Sequence, residues 1–183
     1  MSLVGKPAPA IELEGVLGDE GRLWRLAELS GQWVMLVFFP HAFTSLCASE
    51  VTAFSALAPR LASLNCRVVG ISVDSRHALR AWAASSSEVG GLGGVCAIPL
   101  LADVTKSTCR DYGVLDEREG VAMRATVLID PDGTVVHASA NARAVGRSTT
   151  EAVRLLQAFR HTRGNPEARC RADWQPADPP DPA

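Results

Sequence analysis

The sequence predicts an α/β domain: a central mixed β-sheet flanked by helices. Three observations carry that expectation. Two short, unbroken apolar runs, Trp33–Phe39 and Cys66–Asp74, enclose a stretch of helical periodicity; two more apolar runs flank Pro131-Asp132-Gly133; and a capping pattern opens a last helical segment near Thr149. With 183 residues, 47% of them hydrophobic, the chain is long enough to bury one substantial core.

Residues 33–39 (Trp-Val-Met-Leu-Val-Phe-Phe) are rich in β-branched and aromatic side chains, the pattern of a strand buried on both faces, and Pro40 ends it. Val51, Phe54, Leu57, Leu61 and Leu64 then recur at helical spacing and make one apolar stripe, with Pro59 expected to kink or shorten the helix. Cys66–Asp74 reads as a second buried strand, so strand, helix and strand form a right-handed βαβ unit with a parallel pair. Residues 76–84 are weakly helical around Trp82, Gly90-Gly91-Leu92-Gly93-Gly94 reads as a loop, and a short helix is expected over 106–112.

Ala125–Asp130 and Thr134–Ala138 flank a proline-led turn and predict an antiparallel hairpin. Ser148-Thr149-Thr150-Glu151 is a capping box ahead of Val153, Leu156 and Phe159. Beyond Gly164 the chain turns rich in Pro, Asp and Ala, the composition of a mobile tail. This order of elements is that of thioredoxin-like domains, with residues 1–163 as the domain and 164–183 as the C-terminal tail.

A net charge of −2 leaves no basic footprint for nucleic acid or an anionic membrane. The first ten residues lack an apolar signal core and no apolar run approaches a membrane span, so a cytoplasmic protein with no membrane partner is expected. The five cysteines, at 47, 66, 96, 109 and 170, are odd in number, widely spaced and free of any C-x-x-C pair, which argues against a zinc site, a disulfide scaffold or a general disulfide oxidoreductase. No metal or other cofactor is implied. Cys66 opens a buried strand, Cys109 lies on a short helix and Cys96 follows a flexible loop, and none of the three reads as a redox thiol.

Cys47 is different, because it falls where the first apolar strand has ended and a helix begins. A thiol in the first helical turn meets unpaired backbone N–H groups and the positive end of the helix dipole, both of which favour a sulfur anion. That terminus supplies only about 0.3 to 1 kcal/mol when exposed, too little to make a nucleophile alone, so a further cation is needed. Thr44 has the residue type of a helix N-cap.

The run Phe39-Pro40-His41-Ala42-Phe43-Thr44-Ser45-Leu46-Cys47 resembles the peroxiredoxin signature P-x-x-x-T-x-x-C. Residues 64–75, Gly90–Gly93 with Ile98–Asp103, Asp111–Leu115 and Val145–Ser148 resemble, in order, further segments of the typical two-cysteine peroxiredoxins, the alkyl hydroperoxide reductase-type enzymes. Cys170-Arg171-Ala172-Asp173-Trp174-Gln175-Pro176 is similar to their C-terminal resolving motif.

The resemblance implies a thiol-dependent peroxidase. Cys47 would attack hydroperoxides, with Thr44 and Arg124 as donors to the peroxide, Pro40 shielding the sulfur, Glu50 orienting an arginine and Arg147 as a second candidate cation. Cys170 of the other subunit in a homodimer would resolve the sulfenic acid to a disulfide, reduced in turn by thioredoxin or a similar donor; rings of dimers are a further implication. A one-cysteine peroxidase with an external resolving thiol, and a ring acting as chaperone or redox relay, are the alternatives. Two departures stand out: Ala48-Ser49 in place of Pro-Thr, and Gly-Gly-Leu-Gly without a tyrosine-phenylalanine pair after Trp174, which implies resistance to overoxidation.

Overall fold

The computed structural model describes residues 3–165 and 167–177. Pro166 and residues 178–183, the end of the expected tail, lie outside the described residues. The chain divides into two compact units, Met1–Arg147 and Ser148–Ala183.

Among the described residues of the first unit, nine strands are joined by three α-helices and short 3-10 turns: β1 (Glu12–Leu17), β2 (Glu20–Arg25), β3 (Trp33–Phe38), α1 (Ser45–Ser63), β4 (Cys66–Ser72), α2 (Arg76–Ala84), β5 (Leu100–Ala102), α3 (Ser107–Asp111), β6 (Leu115–Asp116), β7 (Val121–Ala122), β8 (Arg124–Ile129) and β9 (Val135–Asn141). Seven of them form one mixed sheet in the order β2-β1-β5-β4-β3-β8-β9, while β6 and β7 pair separately. The expected parallel pair is present, with Trp33 opposite Cys66 and Phe38 opposite Ile71. So is the hairpin, β8 pairing antiparallel with both β9 and β3.

Every residue of β3 and β8 is buried, as their unbroken apolar runs demand. Adjacent strand residues point to opposite faces. Phe38 meets Tyr112, just after α3, at 5.5 Å between ring centroids, and Phe39 meets Trp82 of α2 at 5.4 Å, so helical residues cover both faces of the sheet here. Gly70 on β4 makes room for this packing: a Cβ there would stand 2.8 Å from Leu100 Cδ2 and 3.3 Å from Phe39 Cε1.

The turn after β8 is held by Asp130, whose Oδ1 accepts the N–H groups of Asp132 at 3.0 Å and Thr134 at 2.9 Å, with Gly133 at φ 83°. The helix α1 runs on through Pro59 to Ser63, so of the two expected effects, a kink or a shortening, the helix is not cut short at the proline. Proline removes one N–H, but Pro59 is exposed and Phe54 and Leu61 on either side of it are fully buried, so packing carries the helix across the missing bond.

The sequence reading did not anticipate the β1–β2 hairpin or the three-residue β5, which pair with each other to extend the sheet beyond β4.

In the second unit, α4 (Thr149–Gly164) starts where expected: the Ser148 side chain accepts the Glu151 N–H at 3.2 Å. The Glu151 carboxylate takes Arg154 at 2.6 and 2.7 Å. Trp174 is buried, its carbonyl accepts from Arg154 Nη1 at 3.2 Å and its ring lies 5.2 Å from that of His161, which anchors the segment after α4 to the helix. Among the described residues no helix is long and apolar enough to cross a membrane.

Candidate active site

Parallel strands β3 and β4 end at the same edge of the sheet, and β8, antiparallel to β3, begins there. The chain leaves β3 through the buried Pro40, turns over residues 41–44 and enters α1 with Thr44 as N-cap. Cys47 is the third residue of α1, where backbone N–H groups have no partner within the helix, and its side chain is 0% exposed. Thr44 holds the N-cap position without a side-chain cap bond, its hydroxyl donating instead to the His41 carbonyl at 3.2 Å.

Arg124, the first residue of β8, meets Cys47 at this edge. Its Nη1 donates to the Cys47 sulfur at 3.3 Å and to Glu50 Oε2 at 2.6 Å, and its Nε donates to the Arg143 carbonyl at 2.7 Å. Glu50, three residues after Cys47 on α1, is also gripped by Arg147: Nε and Nη2 donate at 2.9 and 3.0 Å, and the Arg147 backbone N–H donates at 2.8 Å. Arg147 Nη1 donates to the Ala125 carbonyl at 2.5 Å. Both guanidiniums are 6% exposed and the Glu50 side chain 3%, so these are buried ion pairs and not solvated ones.

Burial pushes the Glu50 carboxyl up, but the hydrogen bonds and charge of Arg147, with the Arg124 bond, hold it below the usual carboxylate range. Burial likewise opposes the Arg124 charge, while the Cys47 sulfur and Glu50 raise Arg124 above its ordinary value. Two buried guanidiniums against one carboxylate leave a single positive charge in excess. The Cys47 sulfur lies against that excess charge, 3.3 Å from Arg124 Nη1.

The structure thus brings together Cys47, Glu50, Arg124 and Arg147. It leaves the Thr44 hydroxyl on a backbone carbonyl and sets Cys170 in the second unit, half-buried, with its sulfur 3.7 Å from the Ala158 carbonyl. All five cysteines are free thiols. Sequence reasoning missed the two carbonyls, of Arg143 and Ala125, that fix the guanidinium planes; backbone groups leave no mark in a sequence. Among the described residues no His, Cys, Asp and Glu cluster could hold a metal ion.

Residues 4–138 match the model of the AhpC/TSA family. The chain belongs to that family. Peroxiredoxin-2 of Bos taurus is 43% identical over 173 residues, covering 94% of this chain and 86% of that protein, and the chloroplastic 2-Cys peroxiredoxin BAS1 of Spinacia oleracea is 40% identical over 179 residues, covering 97% and 67%.

The crystal structure of the reduced 2-Cys peroxiredoxin of Plasmodium vivax superposes with a TM-score of 0.94 at 36% identity, covering 98% of this chain and 93% of that one. The chain is a typical two-cysteine peroxiredoxin with a thioredoxin-like fold, and its activity is that of a thiol-dependent peroxidase.

Proposed function

We propose that Cys47 is the peroxidatic nucleophile of this peroxiredoxin and Cys170 its resolving thiol. The Cys47 thiolate attacks the nearer oxygen of hydrogen peroxide or an organic hydroperoxide; an S–O bond forms, the O–O bond breaks, and the departing oxygen takes a proton and leaves as water or an alcohol. Cys47 becomes a sulfenic acid. The Cys170 thiol of the partner subunit then attacks that sulfur, water leaves, and the intersubunit disulfide is reduced by a thioredoxin-type dithiol.

The observation that carries this reading is Arg124 Nη1 at 3.3 Å from the Cys47 sulfur while bound to Glu50 at 2.6 Å. The guanidinium is fixed before substrate arrives, so it stabilises the charge on sulfur and, as the O–O bond breaks, the charge moving onto oxygen without reorganising. Glu50 and Arg147 orient it. The buried Pro40 keeps water from the sulfur, and the Thr44 hydroxyl exchanges the His41 carbonyl for a peroxide oxygen.

The assignment of Cys170 is supported by its similarity to the resolving motif and by the anchoring of Trp174 four residues later. A homodimer, a ring of such dimers and a cytoplasmic, redox-buffering setting complete the proposal.

Non-reducing gel electrophoresis after one equivalent of peroxide tests it. Wild type is expected to give a dimer band that both Cys47→Ser and Cys170→Ser abolish. Full turnover with thioredoxin by Cys170→Ser would move the resolving role to an external thiol.

A further inference from the structure

Peptide geometry between Pro40 and Thr44 is strained. Phe43 adopts φ 58°, a left-handed conformation that a bulky side chain avoids, and is 46% exposed, so its ring is not packed deeply enough to hold it there. Such a conformation persists only where its surroundings over-determine it. One restraint is local, the Thr44 hydroxyl on the His41 carbonyl at 3.2 Å.

The other comes from β4. Because β3 and β4 are parallel neighbours ending together, Asp74, two residues past β4, lies beside the chain leaving β3. Its Oδ2 accepts the Ala42 N–H at 2.9 Å. The same oxygen accepts the hydroxyl of Ser72 at 2.8 Å, and Ser72, fully buried, returns by accepting the Asp74 N–H at 3.3 Å. The carboxylate is therefore aimed and cannot swing away without breaking a buried contact.

We propose that Asp74 is a positioning residue for Cys47. By holding Ala42 it fixes the strained turn, the turn sets Thr44 at the head of α1, where the Thr44 carbonyl accepts the Ala48 N–H at 2.9 Å, and this first turn of α1 carries the Cys47 sulfur to Arg124.

The inference rests on the reading of Cys47 as the peroxidatic thiol and adds a control to it. A buried sulfenic acid must leave its pocket to meet Cys170, and opening that turn breaks the Asp74–Ala42 bond. Asp74 thus sets the balance between the closed site that reduces peroxide and the open one that forms the disulfide.

Amide exchange over residues 41–47 in the reduced full chain, compared among wild type, Asp74→Asn and Asp74→Ala, tests the restraint without any peroxide. Asp74→Ala is expected to raise exchange at Ala42 through Cys47 by about tenfold, the size of one hydrogen bond to a charged group, and Asp74→Asn, which keeps an acceptor oxygen, to fall between. Under excess hydrogen peroxide, mass spectrometry then reads the fate of Cys47. A second peroxide oxidises the sulfenic acid to sulfinic acid, leaving as water, in competition with attack by Cys170.

Asp74→Ala should shift this partition several-fold towards disulfide, with Asp74→Asn intermediate. Wild-type exchange and partition in Asp74→Ala, or identical behaviour of the Ala and Asn variants, would overturn the proposal. If Cys47→Ser kept peroxidase activity, the assignment of Cys47 would fall instead, and the exchange measurement would still decide Asp74.

Discussion

Cys47 and Cys109 occupy the same local position with opposite surroundings. Each is the third residue of a helix, α1 and α3 respectively, and each is 0% exposed. Cys47 faces the Arg124 guanidinium at 3.3 Å. Cys109 sits over Asp103, whose Oδ2 accepts its backbone N–H at 2.7 Å; burial first, then the Asp103 carboxylate, pushes the Cys109 thiol far up. A helix start does not by itself make a nucleophile. The two sulfurs are equally buried and differ in the charge beside them, a guanidinium on β8 for Cys47 and a carboxylate just after β5 for Cys109.

The largest effect that could break this comparison is loss of the thiol itself. Cys47→Ser should abolish thioredoxin-coupled peroxide consumption, whereas Cys109→Ser should stay within about twofold of wild type, as an exchange of one small buried side chain for another; loss of activity in the second variant would mean that both helix starts matter. Next comes the partner. Arg124→Ala is expected to slow the stopped-flow reaction with hydrogen peroxide by roughly a hundredfold or more, the usual cost of removing one fixed donor from a transition state.

Glu50→Gln sharpens the comparison through stability. It should cost about 3 kcal/mol in urea unfolding at neutral pH, because two buried guanidiniums lose their carboxylate. The Glu50 carboxyl is held below its ordinary value of 4.5 in the folded protein. Its contribution is therefore complete above that value and is lost as pH falls through the depressed one, so the gap between wild type and Glu50→Gln should close in acid. The smallest effect is expected at the contrasting site: Asp103→Asn should speed alkylation of Cys109 in the native protein only a few-fold, since burial, the first cause of its inertness, remains.

Much of this was legible in the sequence, for reasons that differ between fold and site. The strands β3, β4 and β8 announced themselves as unbroken apolar runs, and Pro131-Asp132-Gly133 as a turn. The β1 strand, Glu-Leu-Glu-Gly-Val-Leu, did not, because alternating polar residues and an internal glycine blur its pattern, and Leu100–Ala102 is too short to show a period.

At the site, Pro40, Thr44 and Cys47 could be read together because they lie within eight residues. Arg124 and Arg147 entered only through resemblance: what brings them to Cys47 is the antiparallel pairing of β8 with β3 and the chain's return after β9, neither of which a local pattern encodes. Arg147, the weaker candidate in sequence, makes more bonds to Glu50 than Arg124 does. Asp74 shows in the sequence only as the end of an apolar run.

Pro59, the fifteenth of the nineteen residues of α1, bears on how that helix comes apart. Helical order spreads from turn to turn through its N–H to carbonyl rungs, and proline has no N–H to give the Ser55 carbonyl. Fraying that starts at Cys47 meets a missing rung before the C-terminal turns, where Leu61 is fully buried. The helix is thereby divided into a segment that can melt and a segment that stays, and the excursion of a single sulfur need not unravel the scaffold behind it.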